Sequence, residues 1–390
     1  MGKLNKRWFF IIATVLIVFY FVNSKVGYQV NGANKNNETV FGRGFTNTDP
    51  ANLGKVADPN YKIHFPQDHY SHDAFDIEWW YLTANLQDDA GNDYGVQWTL
   101  FRFRNPNFNN DQKASSAHWN NEHLYMAHAS VHSQNEHWFS EKFARGNVGN
   151  AGVDQSPFQL FIDDWHWLSP NEDLLPAQLR FNANLISGKT KGSRLSLQLN
   201  LTHNGDYVLQ GQDGYSIKSA DGKHASHYYS APFINIEGKL STGVNEKQTH
   251  IAVKGRAWFD QEWTSQLFDQ ATLGWDWLSL HLDNGDKIMA FRMRLKGQED
   301  YITGTYISAD GLAMTLSPSD ISLKPLELTE IGTKNLPLSW QLKINNKGVD
   351  IKIKTTKDDQ WNPASVSYYE GTVDVSGTHQ GKGFLELTGY

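Results

Sequence analysis

The chain has 390 residues, a net charge of -7 and 20% charged residues. It has no cysteine, which excludes disulfides, thiol catalysis and cysteine zinc sites, and it has no basic block of the kind that binds nucleic acid. Aromatic residues make up 13%, with 14 Trp, 16 Tyr and 21 Phe, a bias toward strands and a large apolar or stacking surface.

At the N-terminus, Lys3, Lys6 and Arg7 precede an apolar run from Trp8 to Val22. A charged n-region before an h-region of this length is the pattern of a secretory signal. The run is shorter than the roughly 20 apolar residues of a full bilayer span. Residues 1–24 are therefore expected to be a signal peptide or an uncleaved signal anchor that contacts the membrane. Either one places the body of the chain in the periplasm or at the outer face of the cytoplasmic membrane. Residues 25–59 are polar and rich in Asn and Gly, and are expected to form a flexible linker.

Beyond residue 60, alternating and aromatic runs dominate, as in 94–104, 195–202, 287–295 and 349–354. Turn signals recur between runs: Asp89-Ala90-Gly91-Asn92, His203-Asn204-Gly205-Asp206, Asp283-Asn284-Gly285-Asp286 and Ala309-Asp310-Gly311. No long amphipathic helix stands out. The expected class is all-β, built as barrels or sandwiches. There is also an internal echo. Asp76-x-Glu78-Trp79 returns as Asp260-x-Glu262-Trp263, and Phe101-Arg102-x-Arg104 returns as Phe291-Arg292-x-Arg294. Two motifs in the same order at nearly the same offset imply duplication, with one β-domain over 60–240 and a second over 241–390.

The stretch Asp76–Tyr81 sets acids beside two adjacent tryptophans. Alternate strand residues share a face. Phe75, Ile77, Trp79 and Tyr81 then form an apolar core face, and Asp76, Glu78, Trp80 and Leu82 form a mixed face that is the candidate cavity wall. In the second copy, Arg256, Trp258, Asp260, Glu262 and Thr264 share a face. Carboxylates two apart on a strand lie roughly 6–7 Å from each other. Three readings stay open: structural ion pairs with Arg102, Arg104, Arg256, Arg292 or Arg294; acids lining a cavity without chemistry; and a carboxyl made a proton donor by apolar surroundings.

Five histidines, His118, His123, His128, His132 and His137, invite a metal reading. Residues 127–131 read as a strand, however, where positions four apart are about 13 Å from each other, so cavity or core roles are expected and no metal. Trp165-His166-Trp167 and Trp275-Asp276-Trp277 each put two indoles on one strand face, for core packing or a flat binding surface. No Gly-x-Ser-x-Gly elbow, Walker motif or dinucleotide fingerprint occurs.

Several stretches taken together carry a family resemblance: DIEWWYLTANLQDDAGNDYGVQWTLFRFR (76–104), MAHASVHS (126–133), SHYYSAPF (226–233), GRAWFDQEWTSQ (255–266) and GWDWLSLHLDNGDKIMAFRMR (274–294). From about residue 60 to 310 the chain resembles the lipocalin-like superfamily of carotenoid 1,2-hydratases (hydroxyneurosporene synthases). Within it, the chain is similar to the predicted secreted hydrolases linked to ABC transporters. The resemblance implies two lipocalin-like β-barrels packed together, a hydrophobic isoprenoid or lipid ligand, an ABC transporter as candidate partner, and water addition across a C=C bond without a cofactor. It points to Asp260 as the acid and Glu262 as its alternate or partner, with Trp258, His227 and Tyr229 nearby. The residues expected at the ligand are Glu78, Trp80, His128, Trp258, Trp275 and Trp277. A non-catalytic lipid carrier and a carbohydrate-active β-protein are the alternatives.

Overall fold

The computed structural model describes residues 53–104, 123–244, 247–267, 269 and 271–390. The expected signal segment 1–24, most of the 25–59 linker and His118 lie outside these residues. Among the described residues there is no α-helix, and two 3-10 turns, Gln67–His69 and Asn345–Lys347, accompany the strands.

The first sheet holds β1 (Ile77–Asp88), β2 (Asp93–Arg104), β3 (His123–Ser133), β4 (His137–Arg145), β5 (Ala151–Gln155), β6 (Phe158–Ile162), β7 (Trp165–Leu168), β8 (Ala177–Ser187), β9 (Arg194–His203), β10 (Val208–Leu209), β11 (Tyr215–Ile217), β12 (Ala225–Val244) and β13 (Lys247–Thr264). Eight of these close a ring in the order β1-β2-β3-β4-β8-β9-β12-β13 and back to β1. The second sheet holds β14 (Thr272–Leu282), β15 (Lys287–Leu295), β16 (Tyr301–Ile307), β17 (Ala313–Leu316), β18 (Ile321–Ile331), β19 (Lys334–Ile344), β20 (Val349–Thr355), β21 (Trp361–Asn362), β22 (Tyr368–Gly377) and β23 (Gly381–Leu387). Its path runs from β17 to β18, which do not pair with each other, so it curls without closing. These are two lipocalin-like β-domains, as the sequence implies.

Patterning explains which faces are covered. β9, Arg-Leu-Ser-Leu-Gln-Leu-Asn-Leu, buries every second residue, with its leucines inside the ring and its polar side chains outward. β1 is buried on both faces. Trp80, Leu82, Ala84 and Leu86 point into the ring, while Ile77 and Tyr81 join an apolar cluster between the two sheets with Tyr228, Trp258, Trp277 and Phe291. The second domain has its own interior, including Leu278, Trp340, Ile351 and Leu385.

Two features differ from the sequence reading. Residue 240 falls inside β12, and the chain passes from the first sheet to the second between Thr264 and Thr272. Near residue 240, Gly238 serves a close approach to β9: a Cβ there would lie 2.2 Å from the Gln198 carbonyl oxygen. The echo also divides. The Phe-Arg-x-Arg copies sit on β2 and β15, equivalent strands of the two domains. The Asp-x-Glu-Trp copies are instead neighbours in one sheet, with Glu78 opposite Trp263 and Trp79 opposite Glu262. The true counterpart of Glu78 is Asp276. Glu78 stands opposite Arg102 in the β1–β2 ladder, and Asp276 stands opposite Arg292 in the β14–β15 ladder. The ion pairs measure 3.2 Å and 3.1 Å, with both carboxylates fully buried.

Candidate active site

Strand parity builds the site. Partners in an antiparallel ladder share a face. Trp79 opposes Glu262 and Tyr81 opposes Asp260, so these four side chains look out of the ring toward the second domain. Tyr228 of β12 opposes Glu262 and joins them. From the second domain, β14 brings Trp275 and Trp277, and β23 brings Glu386 opposite Trp277. Together with Phe101 and Phe291 they enclose a narrow, largely apolar pocket between the sheets.

Asp260 is 2% exposed. Ser230 Oγ donates to its Oδ1 at 2.5 Å, Trp258 Nε1 donates to the same oxygen at 2.7 Å, and the Tyr228 hydroxyl also hydrogen-bonds the carboxyl. Among the described residues it has no ion pair; Arg292, one candidate partner, is taken by Asp276 and Asp300. Burial pushes its pKa up to about 7 against these hydrogen bonds, and the neighbouring Glu262 adds to the rise. Glu262 has the cation: Lys218 Nζ lies 3.0 Å from Oε1, and Ser226 Oγ donates to the same oxygen at 2.5 Å. The Lys218 ammonium also lies 4.5 Å from the Tyr228 ring centre and 4.6 Å from that of Phe291.

Two more acids come from the C-terminal strands. Trp275 Nε1 donates to Glu386 Oε1 at 2.6 Å, and burial with Asp260 and Glu262 nearby raises Glu386 to about 7. Glu370, fully buried and opposite Glu386 in the β22–β23 ladder, accepts from the Tyr81 hydroxyl at 2.8 Å. Burial, then the charge of Glu386, lifts Glu370 well above the usual carboxyl range. The pocket thus holds one lysine among three carboxyls, with Glu370 behind Tyr81, and burial raises Asp260, Glu386 and Glu370 together. On the far wall, His128 Nε2 lies 3.0 Å from Glu141 Oε1 and its Nδ1 lies 3.0 Å from the Tyr368 hydroxyl. With Nε2 carrying the proton, Glu141 accepts from the imidazole and Tyr368 donates to it, so the phenol is held at the pocket wall.

Of the residues expected from sequence, Asp260, Glu262, His128, Trp275 and Trp277 line this pocket, and Trp258 supports Asp260. Glu78, Trp80, His227 and Tyr229 face the other way. Glu78 accepts from His72 Nδ1 at 2.6 Å and from Gln261 Nε2 at 3.0 Å as well as pairing with Arg102. Trp80 Nε1 donates to the His69 carbonyl, and Tyr229 links His69 to Gln261. His227 Nε2 accepts from the Asp58 backbone amide at 3.3 Å. These groups tie segment 58–75 to the ring. The face formed by Ile77, Trp79 and Tyr81, expected to be plain core, is the pocket wall, because β1 is covered on both sides. Tyr81, Lys218, Tyr228, Tyr368, Glu370 and Glu386 were not singled out from sequence. The signal for Glu386 was present: a lone acid inside the apolar run Phe384-Leu385-Glu386-Leu387.

The comparisons with known proteins agree with this architecture. A crystal structure of a Nitrosomonas europaea protein assigned to AttH matches with a TM-score of 0.72 and 28% identity, covering 86% of this chain and 99% of that one. Kievitone hydratase from Nectria haematococca matches with a TM-score of 0.60 and 18% identity, covering 86% and 96%, and shares the fold. No curated protein matches the sequence significantly. The AttH-like family model matches residues 56–390, so the chain belongs to the AttH-like family, within the lipocalin-like superfamily that its tryptophan motifs resemble.

Proposed function

We propose that the inter-sheet pocket takes an apolar small molecule bearing a C=C bond, of isoprenoid or lipid type, and adds water to it or removes water from the corresponding alcohol. The observation that carries this reading is Asp260: a buried carboxyl with no ion-pair partner among the described residues, raised by burial to about 7, facing a pocket walled by Trp79, Trp277 and Phe291. In hydration, Asp260 gives its proton to one alkene carbon, and the cation at the other carbon is stabilised by aromatic faces. Water adds to that carbon and its surplus proton returns to a carboxylate, Asp260 itself or Glu386. Glu262 pairs with Lys218, so the ammonium at the pocket wall is compensated and does not oppose the developing cation. The similarity of fold to a protein named as a hydratase supports the same class of chemistry. The N-terminal pattern supports the further proposal that this takes place outside the cytoplasm, and the resemblance to secreted relatives linked to ABC transporters makes such a transport system the candidate partner.

The test is Asp260→Asn. Purified wild type is incubated with acyclic isoprenoids, unsaturated fatty acids and prenylated phenols in 18O-water. Label should enter the product with wild type and fall by about 10²–10⁴ in the variant, while ligand affinity changes little. Equal labelling by both proteins removes Asp260 from the chemistry. Binding without turnover by wild type makes the protein a carrier, and binding of sugars alone overturns the proposal.

A further inference from the structure

We propose that a file of ordered water molecules runs between the two sheets, from the pocket to a second opening beside His132, and that it exchanges the water consumed or released at the pocket. The delivery role rests on the hydration reading above; the file itself does not.

Three rows in register across β1, β2 and β3 define the path. Tyr81, Thr99 and His128 form the first, Thr83, Gln97 and Ser130 the second, and Asn85, Gly95 and His132 the third. All point toward the second domain. The first row lines the pocket, and the third lines an opening shared with Lys357, Gln360 and Thr372. Rows two residues apart along a strand place the ends roughly 13 Å from each other. A face packed between two sheets is ordinarily apolar. Here Thr83, Gln97, Thr99, Ser130 and His132 are all polar and at most 2% exposed.

Their hydrogen bonds leave a trail of gaps. Gln97 Nε2 donates to Thr99 at 2.5 Å, but Gln97 Oε1 has no protein partner. Ser130 Oγ lies 3.2 Å from His132 Nε2 and 2.9 Å from His137 Nε2, but both Nδ1 atoms are unpartnered. Asn362 Oδ1 meets His137, yet its Nδ2 has no partner, and Glu370 bonds Tyr81 through one oxygen while Oε2 has none. Five buried polar atoms along one path, each costly to leave unmet, mark positions for water. Burial holds His132 well below its ordinary range and His137 down to about 4, so both rings are neutral, each with one donor and one acceptor. Such a chain conducts water without trapping an ion. It also enters from the side away from the aromatic walls, so water reaches the carboxyls while the organic molecule fills the pocket.

The test combines a structure with kinetics. A high-resolution crystal structure of the wild type should show water bonded to Gln97 Oε1, His132 Nδ1 and Glu370 Oε2, and Gln97→Leu or Ser130→Val with His132→Phe should remove it. With a substrate that the wild type hydrates, these variants should lose kcat on the order of tenfold while KM for the organic molecule stays within about twofold. Absence of water at those atoms in the wild type overturns the file. Unchanged kcat in a variant shown to be dry overturns delivery. A wild type that hydrates nothing overturns the hydration reading and the delivery role with it, while the crystallographic waters still decide the file.

Discussion

Glu78 and Asp260 are both buried carboxyls, on strands that pair with each other, and their surroundings shift their pKa values in opposite directions. Burial alone would raise Glu78, but His72 and then Arg102 beside it outweigh that and hold it below the usual range. Asp260 has hydroxyl and indole donors and no cation, and burial wins. Two substitutions should therefore behave differently. Glu78→Gln leaves Arg102 buried without its counter-ion and should cost about 3–5 kcal/mol in urea unfolding at neutral pH, the usual result of breaking a buried pair from one side. Asp260→Asn breaks no ion pair and should cost far less, gaining on the wild type as pH rises from about 4 to 7. A Glu78→Gln variant as stable as wild type would show that Arg102 finds another partner in the ring.

The strand is the scale at which sequence reading both succeeds and stops. β9 and β20 show their buried faces through strict alternation, and turns at Asp89–Asn92 and Asp283–Asp286 punctuate the chain where expected. For β1 and β12, covered on both sides, alternation assigns residues to two faces without saying which face meets which partner. Of His227, Tyr228 and Tyr229, it is Tyr228 that shares the face of Glu262. Glu386 reaches Asp260 from more than 100 residues away, with Glu370 beside it in the ladder, and only the packing of two domains reveals them. The parity can be tested directly. Tyr228→Phe removes a hydroxyl beside Asp260 and Trp277 and should change the pH dependence of turnover with little loss of stability. Tyr229→Phe breaks the link between His69 and Gln261, so it should cost about 1–3 kcal/mol and leave ligand affinity intact. The reverse pattern, measured by thermal unfolding and ligand titration, would place the site inside the ring.

For the whole molecule, the protonated acids at the domain junction couple stability to pH. Asp260 titrates near its ordinary value of 3.8 in the unfolded chain and near 7 in the folded protein, so between those values the folded state binds the extra proton. Stability must then fall as pH rises through that window, by up to about 1.4 kcal/mol per pH unit for each such group. Glu370 acts in the same direction, and because it is lifted well above its range its effect extends to higher pH. His72 adds to the trend. Burial opposes its charge, but Glu78 and then Asp68 raise it, so its contribution is complete below pH 6.5 and is lost as pH rises through its folded value. The Tyr81–Glu370 hydrogen bond crosses between the sheets, so ionising Glu370 puts an uncompensated charge at the seam of the two domains. Buried His137, His227 and His281, lowered to about 4, oppose this trend below pH 6.5, so urea midpoints should decline with rising pH above about 6.5, and Glu370→Gln should flatten that decline. A Glu370→Gln profile parallel to wild type at every pH would mean that Glu370 does not hold its proton in the folded protein.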